Sequence, residues 1–159
     1  RLALMFGLSV TAGVLRTEPM FGVRADGRLV AAMTTSVPDD AEPGPQFVGL
    51  RDEVWSRLGA DGKLRYDQCT AAWQPFNLPV PQHHVNMIGV RRASQGHGYA
   101  RVLLNEVHEL SRRAPLSAGV SLTTEDPRNV ALYQHLGYKV VGEGRIGGVI
   151  PTWGFFRSN

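Results

Sequence analysis

The segment Gln95-Gly96-His97-Gly98-Tyr99-Ala100 stands where a run of strand formers (HHVNMIGV, residues 83–90) gives way to a helical pattern. At the start of a helix the first backbone N–H groups have no internal partner, and the aligned peptide dipoles favour an anion there. Glycine lets such a backbone come close to a phosphate, and Gly98 can adopt dihedral angles closed to other residues. Gln95, Gly96, His97, Gly98, Tyr99, Ala100 and Arg101 are therefore candidate phosphate-binding residues. A Walker loop would end in Gly-Lys-Ser/Thr, and a dinucleotide fingerprint would need glycine where the chain has Arg101; neither condition is met. The competing reading is a glycine-rich turn that only connects strand to helix.

Other reactive side chains narrow the chemistry by exclusion. His83 and His84 are neighbours on opposite faces of a strand, and His97, His108 and His135 keep no ligand spacing with them, so no metal site is predicted. Cys69 is the only cysteine, which excludes an internal disulfide and a thiolate-rich zinc site and points to a reducing, cytoplasmic setting. It lies in a helical stretch with no histidine relay beside it in sequence, a poor setting for a covalent nucleophile.

The elements that must position these groups can be read from periodicity and punctuation. Residues 2–15 are almost uncharged; without a small-residue cleavage site they read as an internal buried helix rather than a signal peptide, and a chain that starts with Arg1 is expected to have lost residues upstream. Residues 20–24 and 28–36 read as a hairpin about the Ala25-Asp26-Gly27 turn, and residues 37–46 as a Pro- and Gly-rich loop. Phe47, Leu50, Val54 and Leu58 recur at helical spacing up to Gly59, and a second, weaker helix runs over 64–73. After the strand at 83–90, a helix over 99–113 carries Leu103, Val107 and Leu110 on one stripe, with Ala100 and Leu104 beside it. A strand follows at 115–124. Asp126-Pro127 opens a short helix that Gly137 closes, and residues 138–142 and 148–157 form two last strands. Strand, loop, helix and strand over 83–124 fit a right-handed parallel crossover, so the class is α/β, and all 159 residues are expected to form one domain.

Composition agrees. Hydrophobic residues make up 43% and charged residues 19%, enough to build a core. The excess of 17 basic over 14 acidic residues is small, and Arg91–Arg92 and Arg112–Arg113 are isolated pairs, not the basic face of a nucleic-acid binder. No stretch reaches the roughly 18 apolar residues that a membrane span needs.

VRRASQGHGYARVLL resembles the signature of the GCN5-related N-acetyltransferase superfamily, whose pattern Gln/Arg-x-x-Gly-x-Gly/Ala is filled by Gln95, Gly98 and Ala100. LTTEDPRNVALYQHLGYKVVGE is similar to the family's later motif through Asn129, Leu132, Tyr133, Gly137 and Tyr138. The resemblance covers about residues 19–157 and is strongest to a bacterial branch that includes puromycin-type acetyltransferases. It implies a mixed, mostly antiparallel twisted sheet with a splayed parallel pair, and acetyl-CoA as donor. The strand before the loop would bulge and offer Ile88, Gly89 and Val90 as main-chain contacts to the pantetheine arm, and the diphosphate would sit on the amides from Gln95 to Arg101. A long ligand with a diphosphate at one end and an amide-rich arm also suits an apolar strand that meets a helix start. Asn129 would serve the arm or hold the splayed strands. The family's opening strand and helix are missing ahead of residues 2–15, which leaves an exposed sheet edge and the expectation of dimerisation or strand exchange. The branch often has a glutamate where this chain has Thr123, with an acid instead at Glu125, and Arg92 adds positive charge beside the loop.

The implied reaction, acetylation of a primary amine of a small molecule or peptide, poses two proton problems. An alkylamine with a pKa near about 10.4 must lose a proton, and a thiolate whose acid has a pKa of about 8.5 must leave. The family places its general acid at Tyr133, the preferred reading; on helical spacing alone the alternative is a core aromatic beside Leu132 and Leu136. For the base, His84 comes first, titrating near neutrality and sharing a strand face with Asn86, Ile88 and Val90; Glu125 comes second, and an ordered water chain would replace both. Trp153, Phe155 and Phe156 line the acceptor site or fill the core, and Asp39 and Asp40 attract a cationic amine or are merely solvated. The alternatives are a non-catalytic acyl-CoA-binding or sensing module and, more distantly, a nucleic-acid-binding domain.

Overall fold

Asp26 and Gly27 both have positive φ, +49° and +75°, and turn the chain between β1 (Met20–Ala25) and β2 (Arg28–Ser36). Two left-handed residues form the hairpin turn whose twist matches that of the strands, and Ala25 pairs with Arg28 across it. The computed structural model describes residues 2–38 and 44–159, so Asp39 and Asp40 lie outside the described residues.

The sheet adds β3 (His83–Val90), β4 (Gly119–Thr124), β5 (Lys139–Ile146) and β6 (Ile150–Ser158) in the order β1-β2-β3-β4-β6-β5. Neighbours are antiparallel except β3 and β4, which are parallel and joined through α3 (Tyr99–Arg113). The expected α/β class with a mixed sheet is what the chain adopts.

The parallel pair holds over three residue pairs only: His83 with Val120, His84 with Ser121 and Val85 with Leu122. Beyond them the strands part. On its other edge β3 sets Val85 against Thr35 and Met87 against Thr34, so Asn86 is an extra residue with no partner. Such a bulge bends a strand and raises its twist, and it also reverses which face later residues present. His84 accordingly faces a cavity, whereas Ile88 and Val90 pack against the main core. The single shared face expected from strict alternation does not exist, because the bulge resets the phase.

That core joins Met33, Val85, Val120, Leu122 and Phe155 of the sheet to Leu103, Leu104 and Val107 of α3. His108 and Ser111 complete the buried face of α3, where Leu110 was expected and is only half-buried. His108 can be buried because its Nε2 hydrogen-bonds the Tyr138 hydroxyl at 2.9 Å.

α1 (Leu2–Leu15) lies against α2 (Pro45–Trp73), Leu8 meeting Val54 and Leu58 in a second, smaller cluster. It is not the buried helix expected: Phe6 and Val14 are 53% and 62% exposed, because α2 covers only one side of it. α2 breaks at Gly59 (φ 71°, ψ 178°), where the first of two helices was expected to stop; the second resumes at once rather than at residue 64. No described helix is long and apolar enough to cross a membrane.

At the far end of α2 the chain makes one 3-10 turn, Gln74–Phe76, and the Phe76 ring rests on a patch without side chains made by Gly142, Gly144 and Gly154 of β5 and β6. This brings the end of α2 directly onto the sheet. α4 (Arg128–His135) starts with Asp126 Oδ1 accepting from the Arg128 N–H at 3.0 Å, so the acid caps the helix as expected, and Pro127 stands just before its first turn. It ends at Gly137 (φ +87°), with Tyr138 N–H bonded to Tyr133 O and Gly137 N–H to Gln134 O, both at 3.0 Å, the paired bonds of a Schellman cap. β5 runs on to Ile146, four residues past the expected end, before Gly147 and Gly148 turn it into β6.

Candidate functional site

The glycine turn joins β3 to α3. A 3-10 turn, Arg92–Ser94, follows β3, and Gly96 (φ +82°) and Gly98 (φ +77°) then aim the chain into α3, for which Gly98 is the N-cap. No side chain caps the helix. Among the described residues the amides of Gly96, His97, Gly98, Tyr99, Ala100 and Arg101 find no carbonyl acceptor, while that of Gln95 reaches Arg92 O at 3.4 Å. Gln95 is thus partly engaged already, and its side chain donates to Val90 O at 3.4 Å, tying the turn to the end of β3. His97 donates from Nδ1 to Gln95 O at 2.9 Å and stacks on Tyr99. Free N–H groups at the positive end of a helix dipole favour an anion.

Next to it lies the notch between β3 and β4. Past Val85 the β4-facing edge of β3, residues 86–90 including Ile88, Gly89 and Val90, pairs with no strand among the described residues. Unpaired edge groups accept a strand-like partner with its own amides.

The notch opens into a cavity of about 1030 Å³ beneath α1 and α2. His84, Asn86, Ser121 and Thr123 line its floor, and Phe47, Trp73 and Phe76 are among its apolar walls. The structure separates the adjacent histidines: His83 is buried and bonded to Ser117 Oγ at 2.9 Å, whereas His84 reaches the cavity. His84 Nδ1 stands 2.9 Å from Ser121 Oγ. Loss of water around the ring pushes its pKa down to about 4, so it does not titrate near neutrality as expected; it is a neutral imidazole there.

Tyr133 does not line this cavity. It lies one layer behind, only 6% exposed, with its ring 5.4 Å from that of Phe155 and 5.9 Å from that of Tyr138. Among the described residues its hydroxyl makes no hydrogen bond, and burial, reinforced by the Glu125 charge, holds its pKa above the usual phenol value. It therefore keeps its proton and can donate it. Its packing is that of a core aromatic.

Asn129 Nδ2 donates to Thr124 Oγ1 at 3.2 Å, fastening α4 to the end of β4. Glu125 is a tie as well: its Oε1 accepts from Trp73 Nε1 at 3.1 Å and from Thr152 Oγ1 at 2.9 Å, linking α2, the β4 end and β6. Phe155 fills the core, with Trp153 packed partly against it. Cys69 is half-buried, and burial first and the Glu125 carboxylate second raise its thiol pKa. Ser121, Trp73 and Phe76 were missed in the sequence. Only Trp73 and Phe76 gave any signal, as large aromatics near a helix end.

Known proteins share this plan. The histone acetyltransferase HPA2 and related acetyltransferase of Corynebacterium glutamicum superposes with a TM-score of 0.66 at 18% identity over 99% of this chain and 73% of its own. A Drosophila melanogaster polyamine N-acetyltransferase, which forms N-acetylagmatine, gives 0.63 at 18% identity over 96% and 79%. Arabidopsis thaliana NAA60, solved in complex with acetyl-CoA, gives 0.52 at 18% over 86% and 71%. At such identities the likeness is one of fold. The sequence model of the acetyltransferase (GNAT) family matches residues 13–138. That span holds the hairpin, the splayed strands, the glycine turn and Tyr133 alike, and this chain belongs to the GNAT acetyltransferase family.

Proposed function

We propose that the chain is an N-acetyltransferase that moves the acetyl group of acetyl-CoA, the donor of its family, directly onto a primary amine held in the cavity. The observation that carries this reading is the row of unpartnered amides from Gly96 to Arg101, set beside an open strand edge. A diphosphate fits the amides, and an amide-bearing arm fits the edge of Ile88, Gly89 and Val90. Acetyl-CoA supplies a thioester: as the acetyl group moves, a C–N bond forms, the C–S bond breaks, nitrogen loses a proton and sulfur gains one.

The residues divide that work. His84, neutral on the cavity floor, accepts a hydrogen bond from the amine N–H and passes the proton toward cavity water. Tyr133, kept protonated by burial, supplies the proton for sulfur. Trp73 and Phe76 exclude bulk water from one wall. Cys69, with its thiol held protonated, offers no good acyl carrier, which favours transfer within a ternary complex.

The rest of the reading rests on the sequence: membership of the puromycin-type branch, a single domain of 159 residues, a cytoplasmic setting, association of copies through the β1 edge, and no nucleic-acid or membrane partner. The test is an amine panel assayed by release of free thiol, after showing that acetyl-CoA raises Tm. Turnover with at least one small-molecule or peptide amine is expected. Stabilisation without turnover across the whole panel would favour a binding or sensing module, and no stabilisation would defeat both readings.

A further inference from the structure

We propose that Ser121 is a positioning residue that fixes the tautomer of His84, placing the proton on Nδ1 and leaving the Nε2 lone pair as the atom that meets the amine. The proposal rests on the reading of His84 as proton acceptor. Its basis is the hydrogen-bond inventory of a single hydroxyl. Ser121 and His84 are direct partners in the parallel pair, at the second of its three rungs, just before the strands part. Ser121 is buried, at 8% exposure, and its Oγ has two neighbours: His84 Nδ1 at 2.9 Å and the carbonyl oxygen of His83 at 3.4 Å.

A hydroxyl has one hydrogen to donate, and a carbonyl can only accept. If Ser121 gave its hydrogen to His84 Nδ1, the contact with His83 O would be lost. Both bonds exist together only when Ser121 donates to His83 O and accepts from His84 Nδ1–H. A neutral imidazole then has its lone pair on Nε2. The neutral form is the one present, since the ring holds no second proton at neutral pH. The backbone anchors the chain of bonds: His83 O, Ser121 Oγ and His84 Nδ1 all belong to residues of the short parallel segment. Ser121 thus turns the ring as well as choosing its tautomer, in the way that outer partners orient ligating or catalytic histidines elsewhere.

The test combines a spectroscopic and a kinetic readout on the full chain. Nitrogen-15 NMR of the histidine ring nitrogens at neutral pH is expected to show His84 as the Nδ1–H tautomer. Ser121→Ala is expected to move it toward Nε2–H and to lower kcat by at least roughly 10-fold, the lower end for loss of an outer partner that orients a histidine, with acetyl-CoA affinity unchanged. Ser121→Thr retains the hydroxyl and is expected to restore both signals; it also separates loss of the hydrogen bond from any loss of fold in the alanine variant. An Nε2–H tautomer in the parent protein overturns the proposal. So does a fully active Ser121→Ala enzyme alongside an impaired His84→Gln one. A fully active His84→Gln enzyme overturns the proton-acceptor reading itself, and the role of Ser121 falls with it.

Discussion

A Cβ placed on Gly154 would stand 2.5 Å from Cβ of Phe76. The side-chain-free surface of β6 is therefore the seat of the aromatic that ends α2 and walls the cavity, and Gly142 of β5 meets the same ring. Gly154→Ala must displace Phe76. Overpacking of this kind costs about 1–3 kcal/mol, and the displaced ring should also weaken amine binding. Urea unfolding checks the first effect. Because the contact begins at Cβ of Phe76, Gly154→Ala combined with Phe76→Gly, which removes that atom, should lose less than the sum of the single losses; strict additivity would place the cost elsewhere.

Three imidazoles withdrawn from water, His83, His84 and His108, make stability fall in mild acid; burial lowers the pKa of each. Desolvation lowers the pKa of His84 to about 4; His108 is also lowered to about 4, by desolvation first and then by the charges of Arg157 and Arg112. The unfolded chain protonates His84 and His108 near 6.5, the ordinary histidine value, and therefore binds more protons than the folded one between these pH values. Their contribution is complete above about 6.5 and is lost as the pH drops toward 4. Denaturant midpoints at pH 7 and pH 5 should differ accordingly, and His108→Gln, which can still bond Tyr138, should flatten the difference. An unchanged slope in that variant would mean that His108 is already charged in the fold.

Tyr133→Phe removes the proposed donor to sulfur and leaves the ring that packs on Phe155 and Tyr138. Turnover should drop by roughly 10²- to 10⁴-fold, the usual size of a general-acid contribution, with acetyl-CoA affinity little changed. Thiol release with a good acceptor, measured beside calorimetry, separates the two. Full activity would leave Tyr133 a core aromatic and nothing more.

Gly98→Val forces a β-branched residue to φ +77°, where no atom of the fold lies closer than Arg101 Nη2 at 3.8 Å. The damage is therefore conformational: the turn must leave the left-handed region and its amides lose their common aim. Calorimetry should find acetyl-CoA binding abolished while the protein remains folded. Retained affinity would show that the amides do not depend on that geometry.

Elements whose signals are local were legible in the sequence. The Asp26-Gly27 turn, the break at Gly59, the Asp126 cap and the Gly137 stop each depend on the backbone preference of one or two residues, and each is found in place. What escaped depends on partners far along the chain. His84 and Ser121 are 37 positions apart, and His108 and Tyr138 are 30 apart, so neither the oriented imidazole nor the buried histidine on α3 could be inferred from spacing. The bulge at Asn86 leaves no mark in its own strand, since it exists only in register with β2, and it moved Ile88 and Val90 away from the face of His84. For residues 2–15 the apolar pattern said that a helix forms but not how much of it a neighbour covers.

The most direct test of the phosphate-binding turn is an amide nitrogen–proton NMR titration with acetyl-CoA. The largest displacements are expected at Gly96, His97, Gly98, Tyr99, Ala100 and Arg101, whose N–H groups have no acceptor among the described residues. Saturable binding that leaves these six amides unmoved while shifting others would contradict the assignment of the diphosphate to this turn.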